Sequence, residues 1–112
     1  MDETTSTMSA IKSEDIKNWE LVVAEFQSAG RGRLERIFES EKSTGLLFSI
    51  FYIPKVKINL GFISLLAGLT VVEVIREITG DNKYKTKWPN DILYDEKKIA
   101  GLLIEHFNDG LI

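Results

Sequence analysis

Two arginines alternating with two glycines, Gly30-Arg31-Gly32-Arg33, are the residues of this sequence best suited to hold an anion. Glycine lets a backbone approach a ligand closely, and its amides can point at anionic oxygens. Each guanidinium adds a planar, permanently charged fork that fits phosphate or carboxylate in a bidentate way. The loop lacks the Gly-Lys-Ser/Thr ending of a P-loop. A strand rather than a helix is expected after it, which also separates it from a dinucleotide fingerprint. A solvated loop and an Arg/Gly RNA-binding segment are the competing readings of the same residues.

Two further stretches have chemical potential. In Lys87-Trp88-Pro89-Asn90-Asp91 the proline breaks a strand ladder, and Asn-Asp turns the chain while offering side-chain oxygens and an amide. Such a kink presents Trp88 as a stacking surface and Asn90 or Asp91 as polar contacts or magnesium ligands. The plainer reading is a core tryptophan before a structural turn. In Lys97-Lys98-Ile99-Ala100-Gly101, an inward Ile99 sends Lys98 to the opposite face of its strand, and Gly101 lets a ligand lie against the backbone. A lysine there also reads as a solvated charge. His106 and the Ser/Thr cluster at the start give nothing specific.

Composition narrows the classes. With 14 basic against 17 acidic side chains the net charge is -3, which argues against a nucleic-acid binder with a basic field over its whole surface. The absence of cysteine removes disulfides, thiolate catalysis and zinc-cysteine sites. The opening MDETTSTMSA is unlike a secretory signal, and the apolar stretch Leu60 to Val72 is too short to span a bilayer. The cytoplasm is the expected location, with no membrane partner and no nucleic acid.

The elements that must position these residues follow from periodicity. One of Thr4 to Thr7 is expected to cap a short helix over Met8 to Lys17. A buried strand spans Trp19 to Phe26 and ends at Gln27; Gly30 to Arg36 is a loop. A second strand spans Leu46 to Ile53, stopped by Pro54. The long helix runs Leu60 to Thr79, with Phe62, Leu65, Leu66, Leu69, Val72, Ile75 and Ile78 inward, Glu73, Arg76 and Glu77 outward, and Gly80 as its stop. Lys83 to Trp88 is a strand, and Ile92–Tyr94 with Lys98–Phe107 a hairpin around Asp95-Glu96-Lys97. Asn108-Asp109-Gly110 is a further turn. The order predicts an α+β fold with a mixed, mainly antiparallel sheet and helices packed on one face, ending where another strand is expected.

Taken together, AEFQSAGRGR, KWPNDI and KKIAGLLIE, in this order and spacing, resemble the catalytic domain of biotin protein ligases. TTSTMSA resembles that family's hydroxyl-rich start, and the likeness covers essentially all 112 residues. The resemblance implies a fold like that of class II aminoacyl-tRNA synthetases and biotin synthetases. It implies joining of biotin to ATP, with Mg2+ as companion of the nucleotide, to give biotinyl-5'-AMP and pyrophosphate. The biotinyl group then passes to a lysine of a biotin carboxyl carrier domain in a carboxylase. By the same resemblance Ser6, Thr7 and Gln27 contact biotin, with Met8 beside them. Gly30, Arg31, Gly32 and Arg33 close over biotin and the adenylate phosphate. Trp88 and Asn90 lie on the nucleotide side, Lys98 lies at the carboxylate–phosphate junction, and Gly101 packs next to it. Lys98 and Arg33 are the expected catalytic residues, with no resident metal site. Arg31, Arg33 and Lys98 are expected to converge on one pocket, and Gly30 to Phe38 to be mobile until ligand orders it.

Three residues depart from the pattern. Met8 stands where the family usually has asparagine, and Phe38 where it has tryptophan. Leu34-Glu35-Arg36 replaces a basic residue, a glycine and an arginine. The expected organisation is one partial catalytic domain over residues 1–112, without an N-terminal DNA-binding domain or a C-terminal β domain. A homodimer and an inactive remnant that binds biotin or its adenylate, or needs a partner segment, stay open.

Overall fold

A computed structural model describes all of residues 1–112. In chain order its elements are α1 (Thr7–Ala10), β1 (Leu21–Ala24), β2 (Gly30–Arg31), a 3-10 turn (Arg33–Glu35), β3 (Ile37–Phe38) and β4 (Leu47–Ile50), then α2 (Leu60–Thr79), β5 (Tyr84–Lys87), β6 (Asp91–Tyr94), β7 (Lys97–Gly101), β8 (His106–Phe107) and β9 (Gly110–Leu111). This is the expected α+β class with antiparallel pairing. The ladders form four small sheets, β1-β4, β2-β3, β5-β6-β7 and β8-β9. The chain divides into two compact units, Met1–Val56 with Glu105–Ile112, and Lys57–Ile104.

In the first unit β1 and β4 pair from Leu21↔Ile50 to Ala24↔Leu47. Period-2 alternation buries Ala24, Leu47 and Ser49 and leaves Leu21, Val23, Phe48 and Ile50 exposed on the other side. Met8, Ile11, Phe51, Leu111 and Ile112 complete the core. The β8-β9 hairpin turns through Asn108 in the left-handed region (φ 51°). Tyr52 and Leu111 exchange backbone hydrogen bonds of 2.8 Å, which seats the hairpin on the chain after β4. Gly110 is required there, since a Cβ would meet the Phe51 ring at 2.6 Å and the Tyr52 carbonyl oxygen at 2.7 Å.

Several boundaries differ from expectation. The first helix ends at Ala10, not Lys17, because Ser13, Glu14 and Asp15 follow with few apolar groups to pack and two weak helix formers. The first strand starts after Trp19, whose backbone turns left-handed (φ 67°) while its ring leans on Tyr52 at 4.6 Å. The Gly-Arg segment is not irregular throughout: Gly30↔Phe38 and Arg31↔Ile37 form a two-residue ladder.

In the second unit α2 has the predicted span. The Asn59 side chain caps it by accepting from the amides of Gly61 (2.8 Å) and Phe62 (3.3 Å), and Gly80 ends it at φ 69°. Its inward stripe is narrower than expected. Gly68 and Val72 are buried, and Gly68 lies against Thr86 of β5. Arg76, expected outward, donates to the Tyr84 carbonyl at 2.6 and 3.0 Å. Phe62, Leu66, Leu69 and Ile78, expected inward, are exposed. The physical reason is that α2 packs chiefly on β5 and to a lesser extent on β6, too little sheet to cover its broad apolar arc.

The β6-β7 hairpin turns through Asp95 and Glu96, both left-handed (φ 48° and 67°), the geometry of a type I′ turn. Its register shifts between Ile92, paired with Ala100, and Leu93, paired with Lys98. Ile99 is therefore an extra, bulged residue and is exposed rather than inward. The strand stops at Gly101 instead of running to Phe107, and β8 is a separate element.

Candidate functional site

The candidate residues fall into two groups, one in each unit. In the first unit the N-terminal segment runs beside the end of β1. Thr4 donates to the Phe26 carbonyl at 3.1 Å, and Ser28 and Ala29 donate to Thr4 and Thr5 at 3.0 and 2.8 Å. This places Ser6 and Thr7 at Gln27. The Thr7 amide, unpaired within so short a helix, donates to Gln27 Oε1 at 2.7 Å, and Thr7 Oγ1 donates to the same oxygen at 3.0 Å. The Ser6 hydroxyl caps no amide. Thr7 Oγ1 also lies 2.9 Å from Ser49 Oγ. Ser6 and Thr7 are 2% and 4% exposed, so this is an interior polar network, not a solvated hydroxyl run. Met8 faces the apolar core. Ser49 belongs to none of the motifs; its signal in the sequence is a lone hydroxyl at an inward position of LLFSIFYI.

Gln27 also adjoins the glycine loop. A Cβ on Gly30 would lie 3.0 Å from Gln27 Nε2 and would collide with the Phe38 carbonyl oxygen. Only glycine fits this crossing of β2 over β3. Gly32 donates to the Arg36 carbonyl at 2.7 Å. Between them the turn puts two non-glycine residues, Leu34 and Glu35, in the left-handed region (φ 54° and 58°). Glu35 is the position where the resembled family usually has glycine, so the backbone keeps a glycine conformation that this chain fills with a charged L-residue.

Arg31 forks onto Glu105, with Nη2 3.3 Å from Oε2 and Nη1 3.3 Å from Oε1. Lys12 Nζ shares the same carboxylate at 3.1 Å. Neither Lys12 nor Glu105 carries a motif of its own; in the sequence Glu105 is the acid that closes the apolar run Leu102-Leu103-Ile104. Arg33 is exposed and takes no part in the ion pairs of the chain.

In the second unit β5 delivers Trp88 to the surface, 71% exposed, before a cis Trp88–Pro89 bond. Asn90 is turned to its own backbone: Nδ2 donates to the Leu102 carbonyl at 2.7 Å while Leu102 donates back to Asn90 at 2.9 Å. That clamp closes the open end of β6-β7. Asp91 stands opposite Gly101 in the register, and Lys98 Nζ reaches Asp91 Oδ1 at 3.1 Å. The contact is ionic without a directed hydrogen bond, and this buried Oδ1 has no other partner. Gly101 makes room for the ammonium, since a Cβ there would touch Lys98 Cε and Nζ at 3.4 Å. A shallow cleft beside these residues is lined by Ser64, Gly68, Trp88, Pro89 and Asn90. No group of three or more His, Cys, Asp or Glu is placed to hold a metal ion. No helix is long and apolar enough to cross a membrane.

A family model described as the biotin/lipoate A/B protein ligase family matches residues 1–111. Among curated proteins, the chain is similar to the bifunctional ligase/repressor BirA of Bacillus subtilis, 35% identical over 106 residues, covering 94% of this chain and 32% of that one. It is 34% identical over 89 residues to the biotin--[acetyl-CoA-carboxylase] ligase of Mycobacterium tuberculosis, covering 76% and 34%. Among solved structures, it superposes on the biotin protein ligase of Aquifex aeolicus in complex with biotin and ATP with a TM-score of 0.88 at 39% identity, covering 99% of this chain and 47% of that one. For the Leishmania major ligase in complex with biotinyl-5-AMP the TM-score is 0.81 at 31% identity, with 98% and 52% covered. The chain thus spans about a third of those curated relatives and about half of those solved chains.

Proposed function

Since the chain belongs to the biotin/lipoate A/B protein ligase family, we propose that residues 1–112 are the N-terminal part of a biotin protein ligase catalytic domain. The proposed activity joins biotin to ATP-Mg2+ and transfers the biotinyl group to a lysine of a carboxylase carrier domain in the cytoplasm. The observation that carries the reading is the Lys98–Asp91–Gly101 group, an ammonium folded over a glycine backbone within KKIAG and beside the KWPND turn. It is supported by similarity to a ligase that holds biotin and ATP.

The chemistry asked of these residues is electrostatic. The biotin carboxylate must approach an anionic α-phosphate, and their repulsion must be screened while the atoms are aligned. A carboxylate is already a nucleophile at neutral pH, so no general base is needed. The resemblance gives Lys98 and Arg33 the role of supplying positive charge to this reaction, and Gly30, Arg31 and Gly32 that of excluding water from the acyl-adenylate. Ser6, Thr7 and Gln27 receive the biotin ring system, with Met8 packed behind them. Because Gln27 Oε1 is committed to Thr7, the groups left to meet a ligand are Gln27 Nε2 and the Ser6 hydroxyl. Trp88 offers a stacking face to the nucleotide, whereas Asn90, clamped to Leu102, shapes the turn that presents it. Magnesium arrives with ATP as part of that substrate.

The test is to incubate the chain with biotin, ATP-Mg2+ and a carrier domain and to follow carrier biotinylation and pyrophosphate release. Lys98→Ala and Arg33→Ala should each abolish adenylate formation, Arg33→Ala with the melting temperature nearly unchanged and Lys98→Ala with a loss of no more than about 1 kcal/mol, since it leaves Asp91 Oδ1 without its ionic partner. A large loss of stability would instead make both residues structural. A second reading, a remnant that needs a completing segment, is favoured by the exposed apolar faces of β1-β4 and α2. It expects ligand-dependent thermal stabilisation without transfer, and transfer on adding the C-terminal half of a relative.

A further inference from the structure

We propose that Glu105 is an internal counter-anion that holds Arg31 and releases it to an incoming anion, with Lys12 as the cation that stays behind. The inference rests on the ligand reading above for what Arg31 meets next, but not for the latch itself. Glu105 sits on a fixed base. It exchanges two backbone hydrogen bonds of 2.9 Å with Ile112, and the β8-β9 hairpin that follows is pinned through Gly110 and Leu111 to Phe51 and Tyr52. Arg31 sits on the short β2-β3 ladder, beside a glycine that cannot be replaced without a backbone collision. One carboxylate on a rigid hairpin therefore occupies both Nη groups of the arginine in the glycine loop.

The third member decides the direction of the effect. A single carboxylate faces two cations, and Lys12 is the nearer of them, at 3.1 Å against 3.3 Å. Lys12 is itself held, with its ammonium 5.6 Å from the centre of the Phe107 ring. When Arg31 turns to a ligand oxygen, Glu105 keeps a partner and is not stranded. All three side chains are between 31% and 42% exposed, so the exchange swaps a weak, solvent-screened pair for a ligand contact. The two cations also compete: Lys12 draws charge from Glu105 and so loosens its hold on Arg31. Removing Glu105 should then favour ligand binding, and removing Lys12 should oppose it. A carboxylate that merely pre-orients Arg31, or merely stabilises the fold, would make both removals act in the same direction.

The experiment uses the 112-residue chain and two readouts. The first is limited trypsinolysis without ligand, following cleavage after Arg31, Arg33 and Arg36. Glu105→Gln should speed it several-fold, and Lys12→Gln should leave it unchanged or slower. The second is the affinity for biotin and for a non-hydrolysable biotinyl-adenylate analogue. Glu105→Gln should tighten binding and Lys12→Gln weaken it, each about two- to fivefold, the range of an exposed ion pair. In the Glu105→Gln background Lys12→Gln should have no effect. An unchanged trypsin rate in Glu105→Gln overturns the latch, and so do shifts of the same sign in the two single variants. If the wild-type chain binds neither probe but the trypsin result holds, the latch stands and the ligand reading falls.

Discussion

Gln27 offers the sharpest separation of structure from binding. Its Oε1 accepts from both the amide and the hydroxyl of Thr7, 20 residues away and almost fully buried. In Gln27→Ala the hydroxyl keeps Ser49 at 2.9 Å, but the Thr7 amide loses its acceptor. A buried donor left unpaired costs about 1–3 kcal/mol. Taking about 2 kcal/mol, and about 4 °C per kcal/mol for a domain somewhat above 100 residues, the melting temperature should fall by about 8 °C. Gln27→Glu removes the Nε2 donor but keeps an oxygen for Thr7, so its melting temperature should stay within about 4 °C of wild type. If Nε2 meets the ligand, that variant should nonetheless lose biotin-dependent stabilisation. Differential scanning calorimetry with and without biotin reads both effects. A Gln27→Ala protein that melts with wild type refutes the view that this acceptor secures the N-terminal segment. A Gln27→Glu protein that is still stabilised by biotin removes Nε2 from the ligand contacts.

Three other outcomes follow from the same geometry. Glu35→Gly should stabilise the chain by about 0.5–1 kcal/mol in urea unfolding: a left-handed L-residue costs about 1–2 kcal/mol, and glycine gives back about 0.4–1 kcal/mol through its freer unfolded state. Gly110→Ala should lower the urea midpoint by the equivalent of about 1–3 kcal/mol, because its Cβ would press on the Phe51 ring and the Tyr52 carbonyl. Asp81 accepts from the Lys83 amide at 2.9 Å and the Tyr94 hydroxyl at 2.8 Å, which hold its carboxyl below the ordinary range, while the same carboxylate raises the Tyr94 hydroxyl. The Asp81 contribution is therefore present above the ordinary carboxylate pKa and fades as pH falls through the lower folded value. The Tyr94 contribution fades as pH rises above the ordinary tyrosine range. Asp81→Asn should flatten both limbs of a plot of thermal midpoint against pH.

What was legible in the sequence was whatever local chemistry decides. The span of α2 follows from its apolar period and Gly80, and the α+β class from the order of the elements. What was not legible depends on partners far along the chain. No local pattern says that Gly30 will cross Phe38, or that the amide of Thr7 will find its acceptor at Gln27 rather than at a neighbouring hydroxyl. Alternation failed at Ile99 because a bulge adds one residue, and a bulge needs its opposite strand to exist. The helix face failed for the same kind of reason: periodicity reports which residues are apolar, while the sheet beneath α2 decides which of them are covered.

The two candidate groups share a device that their sequences conceal. Arg31 rests on Glu105 and Lys98 on Asp91, so two of the three cations proposed to meet an anion already have one, and Arg33 alone is unpaired. An unpaired cation would sample many rotamers, and fixing it at the moment of binding would subtract from the affinity. A strongly paired one would not let go. Partly exposed pairs sit between these limits, since their net strength is about 0–1 kcal/mol. The pairs differ in what remains after exchange. Glu105 retains Lys12, whereas Asp91 Oδ1, already without a directed hydrogen bond, is left with no partner. Withdrawing Lys98 therefore costs more than withdrawing Arg31. The cost is smallest when Lys98 shifts only far enough to meet the ligand while staying near Asp91. That asymmetry casts Arg31 as the cation that moves with its loop and Lys98 as the one that waits in place.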